Sequence, residues 1–150
     1  MLKRIGIILL AISFVGSVVW APVVEAVHGG LAQPTADADY AKTMTSKAGS
    51  FKVTYVSDPD TIPLNTIHAW NLKVETPDGK PVTDAEITVD GAMPEHGHGL
   101  PTQPKVTKNL GDGTYLVEGI KFSMPGWWTM TYTIKAGDKT DTVTFNLLLK

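Results

Sequence analysis

What most limits the fold of this chain is a two-residue alternation of apolar and polar side chains that begins at Phe51 and recurs in short runs to the carboxyl end. In residues 128–135, Trp128, Met130, Tyr132 and Ile134 fall on one side of an extended backbone, and Thr129, Thr131, Thr133 and Lys135 fall on the other. His68, Trp70, Leu72 and Val74 oppose Asn71, Lys73 and Glu75 in the same way, and Val143, Phe145, Leu147 and Leu149 oppose Thr142, Thr144 and Asn146. A helix cannot gather such a pattern onto one face, whereas a strand with one dry side does so directly.

The runs place strands at about 51–56, 67–76, 85–90, 104–109, 114–122, 127–136 and 139–148, each with one dry and one wet face. Asp-Gly pairs in 77–82 and 110–115 supply turns with positive φ. Gly119 breaks the parity between Tyr115/Val117 and Ile120/Phe122, which predicts a β-bulge there. No helix-length amphipathic run competes. The expected fold is therefore all-β, an immunoglobulin-like antiparallel β-sandwich of about seven strands.

The amino-terminal part is different. Lys3 and Arg4 precede an uncharged stretch from 5 to 24, and Val24, Glu25 and Ala26 fit a small-residue cleavage site. Residues 1–26 read as a signal peptide cleaved after Ala26 or, because the stretch approaches the roughly 20 residues that span a bilayer, as an uncleaved membrane anchor. Either way the remainder lies outside the cytoplasm, in a periplasmic or other extracytoplasmic compartment, since the positive residues stay inside and no second apolar span follows. Residues 27–50 are small and polar and read as a flexible tether, with the folded domain expected over 51–150.

If successive strands alternate in direction, the loops around 57–66, 91–103 and 123–126 share one pole of the sandwich, and those at 77–84, 110–113 and 137–138 share the other. His68 at the start of the second strand, Met93, His96 and His98 in the second loop, and Met124 in the third then gather at that first pole. The chain has no cysteine, so any metal must be held by His, Met, carboxylate or backbone groups. Residues two apart on an extended chain project to one side, which lets His96 and His98 face one ion. Imidazole suits copper, zinc and nickel, while the thioether of Met93 or Met124 favours Cu(I). With Glu95 in place of methionine, Cu(II) or zinc gains ground.

Each residue also has a plainer role. A His-x-His pair in a Gly/Pro loop can bind only water, His68 can be a buried histidine on a backbone partner, Met124 can cover the end of the core, and Met130 points inward as packing. Trp70, Trp127 and Trp128 read as core or end-capping aromatics, with Trp127 exposed by parity. His28 would add an imidazole only if cleavage fell at one bond.

Charge and motifs narrow the function. A net charge of -2 offers no polycationic face for nucleic acid. No Ser-His-Asp arrangement, phosphate-binding glycine loop or isolated carboxylate pair appears, so the expectation is a protein that is not an enzyme.

The stretches "HAWNLKVETPDGKPVTDAEITVDGAMPEHGHGLPTQPKV" and "GDGTYLVEGIKFSMPGWWTMTYTI" resemble the YtkA-like domain and the related FixH-type proteins of bacterial envelopes, over about residues 65–148. The resemblance rests on His68 before a Trp-bearing strand, Met-Pro-x-His-Gly-His-Gly from Met93, Gly-x-Tyr at Gly113, and Met-Pro-Gly-Trp from Met124. It implies a small envelope β-sandwich, secreted or anchored, linked to copper handling or to assembly of copper-containing respiratory oxidases. Carried over by position, it points to His68, Met93, His96, His98 and Met124. The methionine-dense motif of periplasmic Cu(I) chaperones is missing. Two functions follow as expectations: an exported copper carrier or buffer whose partner is an envelope copper protein or oxidase assembly factor, or a metal-free interaction module using the same loop for recognition.

Overall fold

The structure, a computed structural model, describes residues 33–34 and 38–150. The leader at 1–26 and His28 lie outside the described residues. The strands are β1 (Thr43–Thr45), β2 (Lys52–Asp58), β3 (His68–Glu75), β4 (Glu86–Met93), β5 (His98–Gly99), β6 (Lys105–Gly111), β7 (Thr114–Ile120), β8 (Gly126–Ala136) and β9 (Lys139–Leu149). They form two sheets, ordered β1-β2-β3-β7-β6 and β5-β4-β8-β9, with every strand pair antiparallel.

Without the two shortest strands, the order β2-β3-β7-β6 over β4-β8-β9 is the A-B-E-D over C-F-G arrangement of the immunoglobulin constant type. The alternation in the sequence becomes the core. Trp70, Leu72 and Val74 of β3 meet Trp128, Met130, Tyr132 and Ile134 of β8 and Val143, Phe145 and Leu147 of β9, all buried. Tyr55 stacks on Trp70 at 4.4 Å between ring centroids and meets Phe145 edge-on at 4.9 Å, so aromatic contacts join the two sheets.

The bulge expected at Gly119 is present. His68 pairs with Ile120 and Ala69 with Glu118, leaving Gly119 as the extra residue at φ +84°, a conformation that L side chains adopt only at a cost. The displaced parity turns both Val117 and Ile120 into the core.

Three expectations need correction. β6 has no continuous dry face. Only Val106 is half-buried, because β6 is an edge strand with two register irregularities and carries Lys105 and Lys108, which discourage pairing with another chain. Strand structure also continues past the expected end of β4, through Gly91 to Met93, and returns as β5. Finally, the sheet starts at Thr43 rather than Phe51, inside the stretch read as tether.

The physical reason for the early start is Asp141. Its carboxylate, in β9, accepts the Ser46 hydroxyl at 2.6 Å, the Ala48 amide at 3.0 Å, the Ser50 amide at 3.1 Å and its neighbour Thr142 at 2.8 Å. Ser46 Oγ in turn accepts the Phe51 amide at 2.8 Å, and Lys47 donates its amide to the Thr142 carbonyl. A segment with little apolar surface is thus held by polar bonds from a distant hairpin. Burial acts to raise the Asp141 pKa, but the bonds from Ser46, Ala48, Ser50 and Thr142 outweigh it and hold the carboxyl well below the usual carboxylate range.

A second polar bolt closes the crossover between the sheets. Tyr115 Oη donates to the Val82 carbonyl at 2.8 Å and accepts the Ala85 amide at 2.9 Å, fixing the chain that passes from β3 to β4.

Candidate metal site at the hairpin pole

The antiparallel order sets β2, β4, β7 and β9 running toward one pole, where β3, β6 and β8 begin. His68 opens β3, Met93 closes β4, and Met124 precedes β8, so all five candidate residues lie at that pole. A cleft of about 480 Å³ lies at the other pole, lined by Val82, Asp84, Asp138 and neighbours, and holds no histidine.

His96 and His98 belong to the β4–β5 hairpin. The Met93 carbonyl accepts the amides of both His96 and Gly97 at 3.0 Å, which curls residues 94–97 into a turn, and His98 then pairs with Met93. The two imidazoles come together by this hairpin and not by the extended strand expected from their spacing. Their ring centroids stand 5.9 Å apart at an interplanar angle of 58°. Two imidazoles that bind one ion through nitrogens at about 2.0–2.1 Å place their centroids about 5–6.5 Å apart, so the separation fits a shared ion.

The chemistry of His98 is further defined. Its Nδ1 lies 3.0 Å from the Gly99 carbonyl, which can only accept, so Nδ1 carries the proton and Nε2 keeps the lone pair. A carbonyl holding the distal N–H is the usual outer support of a metal-binding histidine. His96 is exposed and His98 half-buried, with its ring edge-on to Trp128 at 5.5 Å.

His68 sits apart. Its ring contacts Phe122 at 5.7 Å, Phe122 contacts Trp128 at 5.2 Å, and Trp128 in turn meets His98. Two aromatic side chains thus link His68 to the hairpin, and among the described residues no ring contact joins His68 directly to His96 or His98. Its Nδ1–H donates to the Thr66 carbonyl at 3.1 Å, and its buried Nε2 has no partner among the described residues. Such an unsatisfied acceptor costs about 1–3 kcal/mol and is prepared to receive a proton donor or an ion.

The methionines are less available than their sequence positions suggest. Met93 is buried in the core, and its terminal methyl lies where a side chain at position 126 would be, so glycine there lets β8 approach. Met124 is half-buried against the core, and its carbonyl accepts the Trp128 indole N–H at 3.0 Å. Among the described residues, no three His, Asp or Glu side chains are grouped to hold one ion. The pole thus gathers the five residues, with one close pair of imidazoles among them.

One contributor carries no signal in the sequence, Asn146, which reaches the hairpin through Trp127 and Glu95. Glu95 Oε2 accepts the Trp127 amide at 3.1 Å, and the Trp127 indole donates to Asn146 Oδ1 at 3.0 Å. Trp127 is half-buried for that reason, not exposed as parity predicts. Nothing in the local pattern of β9 separates Asn146 from its threonine neighbours; only its register opposite β8 does.

A family model described as YtkA-like matches residues 43–133. The chain belongs to the YtkA-like family. The matched region of this YtkA-like protein begins at β1, in agreement with the early start of the sheet. A search of curated proteins found no significant match. Among solved structures, the crystal structure of a DUF4426 family protein from Pseudomonas aeruginosa PAO1 is 19% identical with a TM-score of 0.53, covering 73% of this chain and 96% of that one. That likeness supports the fold alone. The C-terminal domain of ZirS is 13% identical with a TM-score of 0.37, covering 63% of this chain and 64% of that one, too distant to bear on the fold.

Proposed function

We propose that this YtkA-like protein is an exported, non-catalytic copper-binding protein that carries or buffers a single ion at the hairpin pole. The observation that carries the reading is the close pair of imidazoles, His96 and His98, with the His98 Nδ1–H already engaged, which leaves the lone pair on Nε2. Neutral imidazole and thioether are donors suited to copper, and Met93 and Met124 are the sulfurs at this pole. Structural zinc takes four protein ligands, a number two imidazoles do not approach, so the donor set favours Cu(I). His68, with an unsatisfied buried nitrogen, serves as a third donor only after rearrangement of Phe122.

An exposed His96 and an incomplete shell permit exchange of the ion with a partner, an envelope copper protein or an oxidase assembly factor. Export follows from the leader-like residues 1–26, whether cleaved or retained as an anchor. Titrating metal-free protein with Cu(I) against a chromophoric chelator tests the reading. The wild type should compete, and the His96→Ala/His98→Ala variant should lose competition; an unchanged double variant would remove the hairpin from the site.

A second reading draws on a different observation. Ile67 and Leu148, 64% and 56% exposed, are large apolar side chains presented at the same pole, contacts for a metal-free recognition module that binds an envelope protein. On that reading copper leaves thermal stability unchanged while hairpin substitutions abolish the complex. A ligand selective for the folded state raises stability by mass action, so thermal unfolding with and without Cu(I) separates the two.

A further inference from the structure

We infer that Asn146 is a positioning residue for the histidine hairpin, and that it ties the order of that hairpin to the docking of the segment leading into the sandwich. The functional side of this inference rests on the copper reading; the positioning itself does not.

Asn146 lies on the outer face of β9, half-buried, opposite Thr129 of β8. Its carboxamide works in two directions. Nδ2 donates to the Asp39 carbonyl at 3.0 Å, and Oδ1 accepts the Trp127 indole N–H at 3.0 Å. A carbonyl can only accept and an indole can only donate, so the amide has one orientation that satisfies both. Trp127 continues the chain of bonds through its own main chain, whose N–H donates to Glu95 Oε2 at 3.1 Å. Glu95 stands in the turn that the Met93 carbonyl closes through His96 and Gly97. Four bonded groups thus connect Asp39, ahead of the first strand, to the residue beside His96.

The incoming segment has its own hold on the other sheet. The Lys42 carbonyl accepts the Tyr55 amide at 3.0 Å, and Lys42 Nζ pairs with Asp60 at 2.9 Å. Residues 39–42 therefore bridge from β9 to β2 at the edge of the sandwich. When Asp39 leaves Asn146, the amide loses the partner that fixes its orientation, the indole loses a fixed acceptor, and the Glu95 turn loses part of its support. A looser hairpin must order both imidazoles on binding, which weakens its grip on an ion. A partner that lifts the segment would release copper without touching a ligand.

The test uses the full chain without metal and reads amide hydrogen exchange. In Asn146→Leu, which removes both side-chain bonds, the amides of Trp127, His96 and Gly97 should exchange about fivefold faster, the effect of losing one ordinary hydrogen bond. Asn146→Asp keeps an acceptor for the indole and cannot donate to Asp39, so a smaller rise at the same amides is expected. Trp127→Phe keeps the Glu95 bond and the Asp39 contact, and should loosen the hairpin while leaving Ala41 exchange unchanged. Wild-type rates at His96 and Gly97 in Asn146→Leu would overturn the positioning role. Wild-type rates in Asn146→Asp alone would overturn the tie to the segment. In the copper arm, Asn146→Leu should compete for Cu(I) about fivefold less well, and equal competition would overturn the regulatory consequence. If the wild type fails to compete at all, the copper reading falls while the exchange result still decides the positioning.

Discussion

Asp141→Asn perturbs the polar latch that holds the entry to the sandwich. Five donor contacts from four groups converge on the Asp141 carboxylate: Ser46 Oγ, the Ala48 amide on both oxygens, the Ser50 amide and the Thr142 amide. The residue is 6% exposed, so water replaces little of this set. A hydrogen bond to a charged group contributes about 1.5–3 kcal/mol net, and bonds to one acceptor do not add in full. Asparagine keeps one acceptor oxygen, but its NH₂ faces the amides that the second oxygen receives. The expected loss is about 2 kcal/mol for asparagine and about 3 kcal/mol for alanine, a fall in Tm of roughly 6–12 °C for a domain of this size.

The pH dependence gives an independent check. The carboxyl is held below its usual range when folded, so its contribution is fully present above the unfolded value near 4 and is lost as pH falls through the folded value. The difference in Tm between wild type and Asp141→Asn, followed by circular dichroism, should be largest near neutral pH and should shrink below about pH 4. A difference under about 0.5 kcal/mol at pH 7, or one that acid leaves unchanged, would refute the reasoning.

Three further outcomes are expected. Tyr115→Phe deletes the hydroxyl that joins Val82 and Ala85 and should lower stability by about 1–3 kcal/mol in denaturant unfolding, with no change in the slope m. Gly119→Ala meets only ordinary contacts, with Pro104 Cα at 3.6 Å, so its cost should be the left-handed backbone alone, about 1–2 kcal/mol by thermal unfolding. His68→Leu replaces a ring whose Nε2 has no partner among the described residues and should change stability by less than about 1.5 kcal/mol; Cu(I) competition should fall far less than in His96→Ala, because His68 packs on Phe122 and makes no ring contact with the hairpin histidines.

Much of the sandwich is legible in the sequence because its dry faces alternate strictly. Trp128, Met130, Tyr132 and Ile134 are buried where parity puts them, and the broken parity at Gly119 marks the bulge. β1 is not legible, since three residues with one half-buried methionine carry no pattern and their place is set by Asp141, far along the chain. β5 is shorter than any alternation can register. At the pole, strand direction brings His68 and the hairpin to the same end. Direction says nothing of which rings touch there, and His68 is linked to the hairpin through Phe122 and Trp128. Asn146 was hidden for a related reason: its bond to Trp127 depends on the register of β8 against β9, which no single segment encodes.

Because Asp39 meets Asn146 at the same end of the sandwich that carries the paired imidazoles, the polypeptide enters the folded unit beside them, and a pull on the incoming segment reaches that end before it reaches the opposite one.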